Sequence, residues 1–183
     1  LTVIQNAVNL IHASQREADP QIAETELLDI DQIDFDDKAV LASLGTGRTE
    51  GVFQLESAGM KNFMKELKPQ SLEDIIAGIS LYRPGPMDFI PAYIRGKNNH
   101  QSITYDCPQL EPILEPTYGC IVYQEQVMQI VRDLAGYTLG RSDLVRRAMS
   151  KKKVSVMEQE RKEFLAVSAM ESVSRLPTRY LMI

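Results

Sequence analysis

Apolar residues recur every three or four positions along most of the chain, which is the spacing of helices that bury one face. The clearest example runs from Tyr123 to Ala135, where Val127, Ile130, Val131 and Leu134 share a face and Gly136 follows as a stop signal. Similar patterns predict helices over residues 2–16, 38–44, 57–67, 71–81 and 89–94, and a helical region from 142 to 165 that is interrupted near 151–155.

The predicted fold class is therefore mainly α, with at most a short β element. Residues 51–55 are the best strand-like run, but five residues fit a short strand and a buried turn equally well. The Arg-Pro-Gly-Pro run at residues 83–86 ends the preceding helix, because two prolines remove backbone donors and fix the backbone. Residues 96–119 contain three further prolines and are expected to be rich in loops.

Charge is distributed unevenly along the chain. Residues 19–37 form an acidic connector, and residues 1–78 carry a net charge of −8 whereas residues 79–183 carry +3. The net charge of −5 therefore conceals a cationic segment at residues 141–162, and a phosphate-bearing ligand responds to this local field. The helix predicted before the connector has a broad apolar stripe that contains Val3, Ile4, Ala7, Val8, Leu10 and Ile11.

Composition excludes several classes of protein. With 44% hydrophobic and 25% charged residues, the sequence is typical of a soluble globular chain and not of a disordered one. No run approaches the roughly 20 apolar residues of a membrane span, and no signal peptide is visible. Cys107 and Cys120 provide no disulfide framework and indicate free thiols in a cytoplasmic protein.

Two features resemble ligand sites but lack the necessary pattern. The glycine-rich run at residues 45–51 has neither the Gly-Lys-Ser/Thr ending of a phosphate loop nor the third glycine of a dinucleotide fingerprint. Asp29 and Asp31 would share a face of a strand and could chelate Mg²⁺, but their acidic surroundings favour a solvated charge run. His12 and His100 show no ligand spacing, so no metal site is predicted in the chain.

The basic segment at residues 141–153 is the strongest indication of a binding site. Arg147 and Lys151 fall one turn apart on one helical face, and Arg146 lies about 100° around the same turn. Guanidinium forks and ammonium groups at this density can hold several phosphate oxygens, and such binding weakens as salt is added. The alternative interpretation is a solvated cationic face.

Two other segments carry weaker candidates. The rigid turn at residues 83–86 would fix the backbone so that Arg83 points into a cleft. Tyr123 and Gln124, at a helix start, could offer an aromatic face and an amide to a base or sugar. Taken alone, each of these segments is better explained by packing or capping.

Taken together, four segments resemble one known family. GVFQLESAGMK at residues 51–61, LYRPGPM at 81–87, TYGCIVYQEQVMQ at 117–129 and LVRRAMSKKK at 144–153 resemble, in order and spacing, the C-family replicative polymerases, the bacterial DNA polymerase III alpha subunits. The resemblance covers roughly residues 1–165. It implies a DNA-directed DNA polymerase that adds deoxynucleoside triphosphates (dNTPs) to a primer 3′ end with two Mg²⁺ ions.

The resemblance also implies which part of the active site this chain supplies. The family's Mg²⁺ ligands are palm aspartates that match no position here, so no catalytic residue is predicted and this fragment alone is expected to be inactive. The first expected substrate-binding residues are Arg146 and Arg147, which match the arginine pair that the family directs at the triphosphate. Lys151 and Lys152 come next, for the triphosphate or the template backbone. Weaker candidates for lining the nucleotide or template cleft are Arg83, Tyr123 and Gln124.

The domain organisation implied by the resemblance has three parts. Residues 1–35 would be the end of the palm and the acidic connector, and residues 36–165 the fingers domain. Residues 166–183 depart from the family pattern and are interpreted as a tail that comes from a frameshift or an expression vector, with a helix reordered by truncation as the alternative.

The expected partners are primer–template DNA and dNTP and, in the full-length protein, the sliding clamp and other replisome subunits, in the bacterial cytoplasm and away from membranes. Two competing interpretations remain at this stage. The first is a helical module that binds nucleic acid or nucleotide without catalysis, and the second is a helical protein–protein adaptor.

Overall fold

The computed structural model describes residues 2–151 and 153–170, so Lys152 and residues 171–183 of the predicted tail lie outside it. Within the described residues the chain contains no strand, which confirms the mainly α prediction, and no helix there is both long and apolar enough to cross a membrane. Two compact units divide between Asp37 and Lys38. The helices are α1 (Thr2–Ala18), α2 (Lys38–Leu44), α3 (Ala58–Leu67), α4 (Leu72–Leu81), α5 (Ile90–Asn98), α6 (Glu111–Leu114), α7 (Gln124–Ala135), α8 (Leu139–Ser150) and α9 (Val154–Met170).

The first unit consists of α1 and the acidic connector, which folds back along the helix. His12 Nε2 donates a hydrogen bond to the Leu28 carbonyl oxygen at 2.8 Å, and the Leu28 N–H donates to Gln15 Oε1 at 3.2 Å. Val8 and Leu27 are buried in this unit. Most of the predicted apolar stripe is instead exposed: Val3, Ile4, Leu10 and Ile11.

The second unit contains two apolar clusters. The first lies among α3, α4 and α5, and the second among α6, α7, α8 and α9. Cys120 belongs to the first cluster and its neighbour Ile121 to the second, so the segment before α7 passes between them. The largest fully buried side chains are Met64, Leu67, Leu81 and Tyr93 in the first cluster and Leu110, Leu114, Ile130, Val131, Leu134 and Val145 in the second.

Side-chain caps or a glycine define several of the helix ends. Ser71 Oγ accepts the Asp74 N–H at 3.3 Å and caps α4, and α7 ends at Gly136 with a positive φ of 62°. The helix predicted to begin near residue 142 begins at Leu139, because Thr138 Oγ1 accepts the Arg141 N–H at 3.3 Å and caps it there. The interruption expected near residues 151–155 is confirmed, since α8 ends at Ser150.

The strand-like run at residues 51–55 forms turns. The Val52 N–H donates to the Thr49 carbonyl oxygen at 3.2 Å, and the Leu55 N–H donates to the Val52 carbonyl oxygen at 3.0 Å. Leu55 is buried, whereas Phe53 is 82% exposed at the tip of the loop. Of the two structures that the sequence left open, the turn is therefore correct, but only its last residue, Leu55, is buried.

Candidate functional site

Four of the seven residues predicted to bind substrate meet in one cleft. Arg83, Tyr123, Gln124 and Arg146 line a cavity of about 370 Å³ that we call the α7–α8 cleft. Its walls are the turn after α4, the start of α7 and the second half of α8. Residues that are distant in the sequence thus present two guanidinium groups, a phenol ring and a carboxamide to one space.

Hydrogen bonds between α7 and α8 fix the polar wall of this cleft. Arg146 Nη1 donates to Gln124 Oε1 at 3.3 Å, and Gln124 Nε2 donates to Ser150 Oγ at 3.2 Å. Gln124 is the first residue of α7, so it ties that helix start to the last turn of α8. The hydrogen bond to Gln124 holds the Arg146 guanidinium at the cleft, and other N–H groups of the guanidinium are directed at a second partner.

Asp143 joins the two arginines of the basic segment. Its Oδ1 accepts from Arg146 Nε at 2.9 Å and from Arg146 Nη2 at 2.6 Å, and its Oδ2 lies 2.7 Å from Arg147 Nε. The hydrogen bond from Arg146 is the main reason that the pKa of the Asp143 carboxyl is lowered, and the charges of both arginines add to the effect. Both guanidinium groups therefore converge on a single anion.

The basic helix also has a second face. Arg147 and Lys151, with Lys153, line a separate cavity of about 550 Å³ between α8 and the start of α9. The remaining predicted residue, Lys152, lies outside the described residues. The predicted residues are therefore divided by α8, with Arg146 on the cleft side and Arg147 and Lys151 on the other.

Arg141 belongs to the basic segment but has a structural role. Its guanidinium lies 4.0 Å from the centre of the Tyr137 ring and forms ion pairs with Glu160, at 2.9 Å, and with Glu163. These contacts tie α8 to α9. The basic segment seen in the sequence thus contains both candidate ligand-binding residues and a residue, Arg141, that joins two helices.

Tyr123 is partly buried at the α7–α8 cleft. Loss of solvent is the main reason that the pKa of its phenol is raised, and Glu73 and Asp74 contribute through their negative charges. The ring consequently stays neutral at physiological pH and offers an apolar face with a hydroxyl at its edge.

Sequence reasoning missed three polar residues that organise the cleft: Asp143, Gln126 and Ser150. A signal existed for Asp143, because it precedes Arg146 and Arg147 by three and four positions and so shares their helical face. A signal also existed for Gln126, which lies four positions before Ile130 on the buried face of α7.

In the part of the chain that the structure describes, no group of three or more His, Cys, Asp or Glu residues is arranged to hold a metal ion. Both cysteines, Cys107 and Cys120, are free. The side chains that meet at α7 and α8 are instead cations, amides and an aromatic ring. This combination suits a ligand that carries an anionic group next to a planar ring.

Comparison with known proteins identifies the family. The sequence matches the model of the bacterial DNA polymerase III alpha subunit finger domain over residues 1–171. The chain belongs to this family. It is 53% identical over 138 residues to the DNA polymerase III subunit alpha of Halalkalibacterium halodurans, and 51% and 50% identical over the same length to those of Staphylococcus aureus strain Mu50 and Staphylococcus epidermidis.

These alignments cover 75% of this chain but only 12–13% of each relative. The chain thus spans about an eighth of the curated relatives it matches, and it corresponds to a fragment of an alpha subunit. The division into the end of the palm at residues 1–35 and fingers at 36–165 stays a prediction.

Proposed function

We propose that this chain supplies the nucleotide-binding part of a replicative DNA-directed DNA polymerase, and that the α7–α8 cleft receives the incoming dNTP. The observation that carries the proposal is the placement of Arg146 beside Tyr123 and Gln124 in a single cleft. Its volume of about 370 Å³ lies within the roughly 300–1,000 Å³ typical of small-molecule sites.

The chemistry of the cleft suits the two ends of a nucleotide. The planar guanidinium of Arg146 can bind two phosphate oxygens at once, and Arg83, which lines the same cleft, adds a second positive charge. The Tyr123 ring offers a face to the sugar or base, and the Gln124 carboxamide offers a donor and an acceptor. Positive charge at the phosphates would stabilise the negative charge that develops on the leaving pyrophosphate.

Arg147 and Lys151 take part from the second face of α8. Arg147 shares the Asp143 carboxylate with Arg146, so the two arginines are close enough to hold one phosphate group together. Lys151 is exposed one turn further along and is assigned to the triphosphate or to the template backbone, as is Lys152. Contacts of this kind are ionic and weaken as the salt concentration rises.

The rest of the proposal concerns the whole polymerase. Its two Mg²⁺ ions supply Lewis-acid chemistry and are held by aspartates outside this chain, and its substrates are primer–template DNA and dNTP. The sliding clamp and other replisome subunits are its partners in the bacterial cytoplasm. Within this chain, residues bind and orient the nucleotide, and none of them is assigned a catalytic proton transfer.

The test is steady-state single-nucleotide incorporation by the full-length polymerase that carries Arg146→Ala or Arg147→Ala. Removing one charge-assisted hydrogen bond to phosphate costs about 1.5–3 kcal/mol, so kcat/KM for dNTP should fall by about 10- to 150-fold. Arg146→Lys should restore part of the activity, because an ammonium keeps the charge but loses the fork.

Arg132→Ala is the matched control, because Arg132 is an exposed arginine of α7 that does not line the α7–α8 cleft. It should leave kcat and KM near the wild-type values. Wild-type kinetics in both Arg146→Ala and Arg147→Ala would overturn the proposal and favour a module that binds nucleic acid without contributing to nucleotide selection.

A further inference from the structure

The Asp143 carboxylate occupies the position in which an anion meets both arginines of α8. It binds Arg146 through Oδ1 and Arg147 through Oδ2, with the closest approaches at 2.6 and 2.7 Å. A phosphate group presents the same kind of acceptor, a negatively charged oxygen pair with similar spacing. The carboxylate thus makes the contacts that a bound phosphate would make.

We propose that Asp143 is an internal anion that competes with the dNTP triphosphate for Arg146 and Arg147 and thereby sets nucleotide affinity and pyrophosphate release. This inference rests on the proposed function of the cleft. Asp143 is a positioning residue in this scheme, since it acts through the arginines and does not touch the substrate.

The geometry makes the carboxylate displaceable. The side chain of Asp143 is 28% exposed, that of Arg146 32% and that of Arg147 67%, so all three groups reach solvent and their ion pairs are weak and exchangeable. Helical spacing keeps Asp143 within reach of both arginines after displacement, because it lies three and four residues before them. The carboxylate can therefore return as soon as the phosphate leaves.

Arg146 keeps its place when the carboxylate is displaced. Its Nη1 donates to Gln124 Oε1 at 3.3 Å, and this contact does not involve Asp143. The two arginines and the Asp143 carboxylate together carry a net charge of +1, whereas the two arginines alone carry +2. The arginines paired with Asp143 thus bind a multiply charged triphosphate less tightly than two unpaired arginines would. The same holds for the pyrophosphate product.

The experiment compares Asp143→Asn with the wild type in the full-length polymerase. Asparagine keeps the shape and one acceptor but removes the charge, so KM for dNTP should fall by about two- to fivefold, which is the range of an exposed ion pair. Inhibition by added pyrophosphate should strengthen by a similar factor, and both differences should shrink at high salt.

Asp143→Ala provides a second variant, because alanine favours the helix and also removes the charge. Asp133→Asn is the matched control: it removes an exposed carboxylate from α7 and changes the net charge equally, and KM should not change. If a purely structural role for Asp143 were correct, its substitution would raise KM or leave it unchanged, and either result overturns the inference.

The outcome can be separated from failure of the proposed function. If Arg146→Ala and Arg147→Ala raise KM whereas neither Asp143 variant lowers it, the cleft binds dNTP but Asp143 does not compete. If the arginine variants have wild-type kinetics, the cleft assignment itself is wrong. In a polymerase that lacks both arginine side chains, Asp143→Asn should no longer change KM.

Discussion

The side-chain carbonyl of Gln126 accepts the backbone N–H of Tyr123 at 3.0 Å, and so fixes the residue that faces the α7–α8 cleft. The same oxygen accepts the Val122 N–H at 2.9 Å, while Nε2 donates to the Ile113 carbonyl oxygen at 3.1 Å and to Thr117 Oγ1 at 2.7 Å. All four hydrogen-bonding positions of the carboxamide are used. A buried side chain of α7 therefore holds the whole segment that leads into the cleft.

Gln126→Glu should destabilise this chain by about 1–3 kcal/mol, because the variant replaces two buried donors with an oxygen that faces two acceptors. The measurement is the free energy of unfolding in urea, followed by circular dichroism. Gln129→Glu makes the same chemical change at an exposed position of α7 and should stay within about 0.5 kcal/mol of the wild type. Equal effects of the two variants would show that the Gln126 network is not important for stability.

A buried ion pair joins three helices of the first apolar cluster. Lys97 Nζ on α5 lies 2.9 Å from Asp74 Oδ2 on α4, and both side chains are less than a tenth exposed. Lys97 Nζ also donates to the Lys68 carbonyl oxygen at 3.2 Å, just after α3, and Asp74 Oδ2 accepts the Gln70 N–H at 2.8 Å. The pair therefore satisfies a carbonyl group at the end of α3 and an N–H group just before α4, and it ties both to α5.

Lys97→Met should cost about 3–5 kcal/mol of the free energy of unfolding, because it leaves the Asp74 carboxylate buried without its partner. The double variant Lys97→Met/Asp74→Asn should recover part of this loss, since it removes the uncompensated charge. Thermal unfolding of both variants provides the measurement, with the exposed Lys162→Met as the control. A double variant less stable than Lys97→Met alone would contradict this explanation.

Two glycines offer a matched test of packing. A Cβ at Gly96 would lie 2.8 Å from Tyr118 Cβ and 3.0 Å from the Tyr118 carbonyl oxygen, whereas nothing lies within 4 Å of a Cβ at Gly140. Gly96→Ala should therefore lower the free energy of unfolding by about 1–3 kcal/mol. Gly140→Ala, in the first turn of α8, should be neutral or raise it by up to about 1 kcal/mol. Denaturation midpoints that move in the same direction for both would refute the steric account.

Hydrophobic periodicity predicted the buried face of a helix well where the segments that cover this face are nearby in the chain. Val127, Ile130, Val131 and Leu134 share a helical face in the sequence, and all four are buried in the structure. The apolar stripe of α1 was equally clear in the sequence, yet Val3 is 81% exposed. A hydrophobic pattern identifies which face of a helix is apolar, but it contains no information on what covers that face.

The site could be predicted only in part for a related reason. Residue type and local spacing selected Arg146, Arg147 and Lys151, and helical spacing already separated Arg146 from the face that Arg147 and Lys151 share. Local spacing could not show which face meets α7, because that depends on long-range contacts such as Arg146 with Gln124, which are 22 positions apart. Resemblance to the family brought Arg83 and Gln124 into the prediction, although neither had sufficient local evidence.

The two cysteines should differ strongly in reactivity. Cys120 is 6% exposed, and burial raises the pKa of its thiol to about 11, although the charge of Arg95 acts in the opposite direction. Only the thiolate is nucleophilic, so at about pH 8 roughly one Cys120 side chain in a thousand is reactive. Iodoacetamide should modify the partly exposed Cys107 quickly and Cys120 only after unfolding, as measured by mass spectrometry. The Cys107→Ser variant should then lack the fast phase, and equal rates at both thiols would contradict the burial of Cys120.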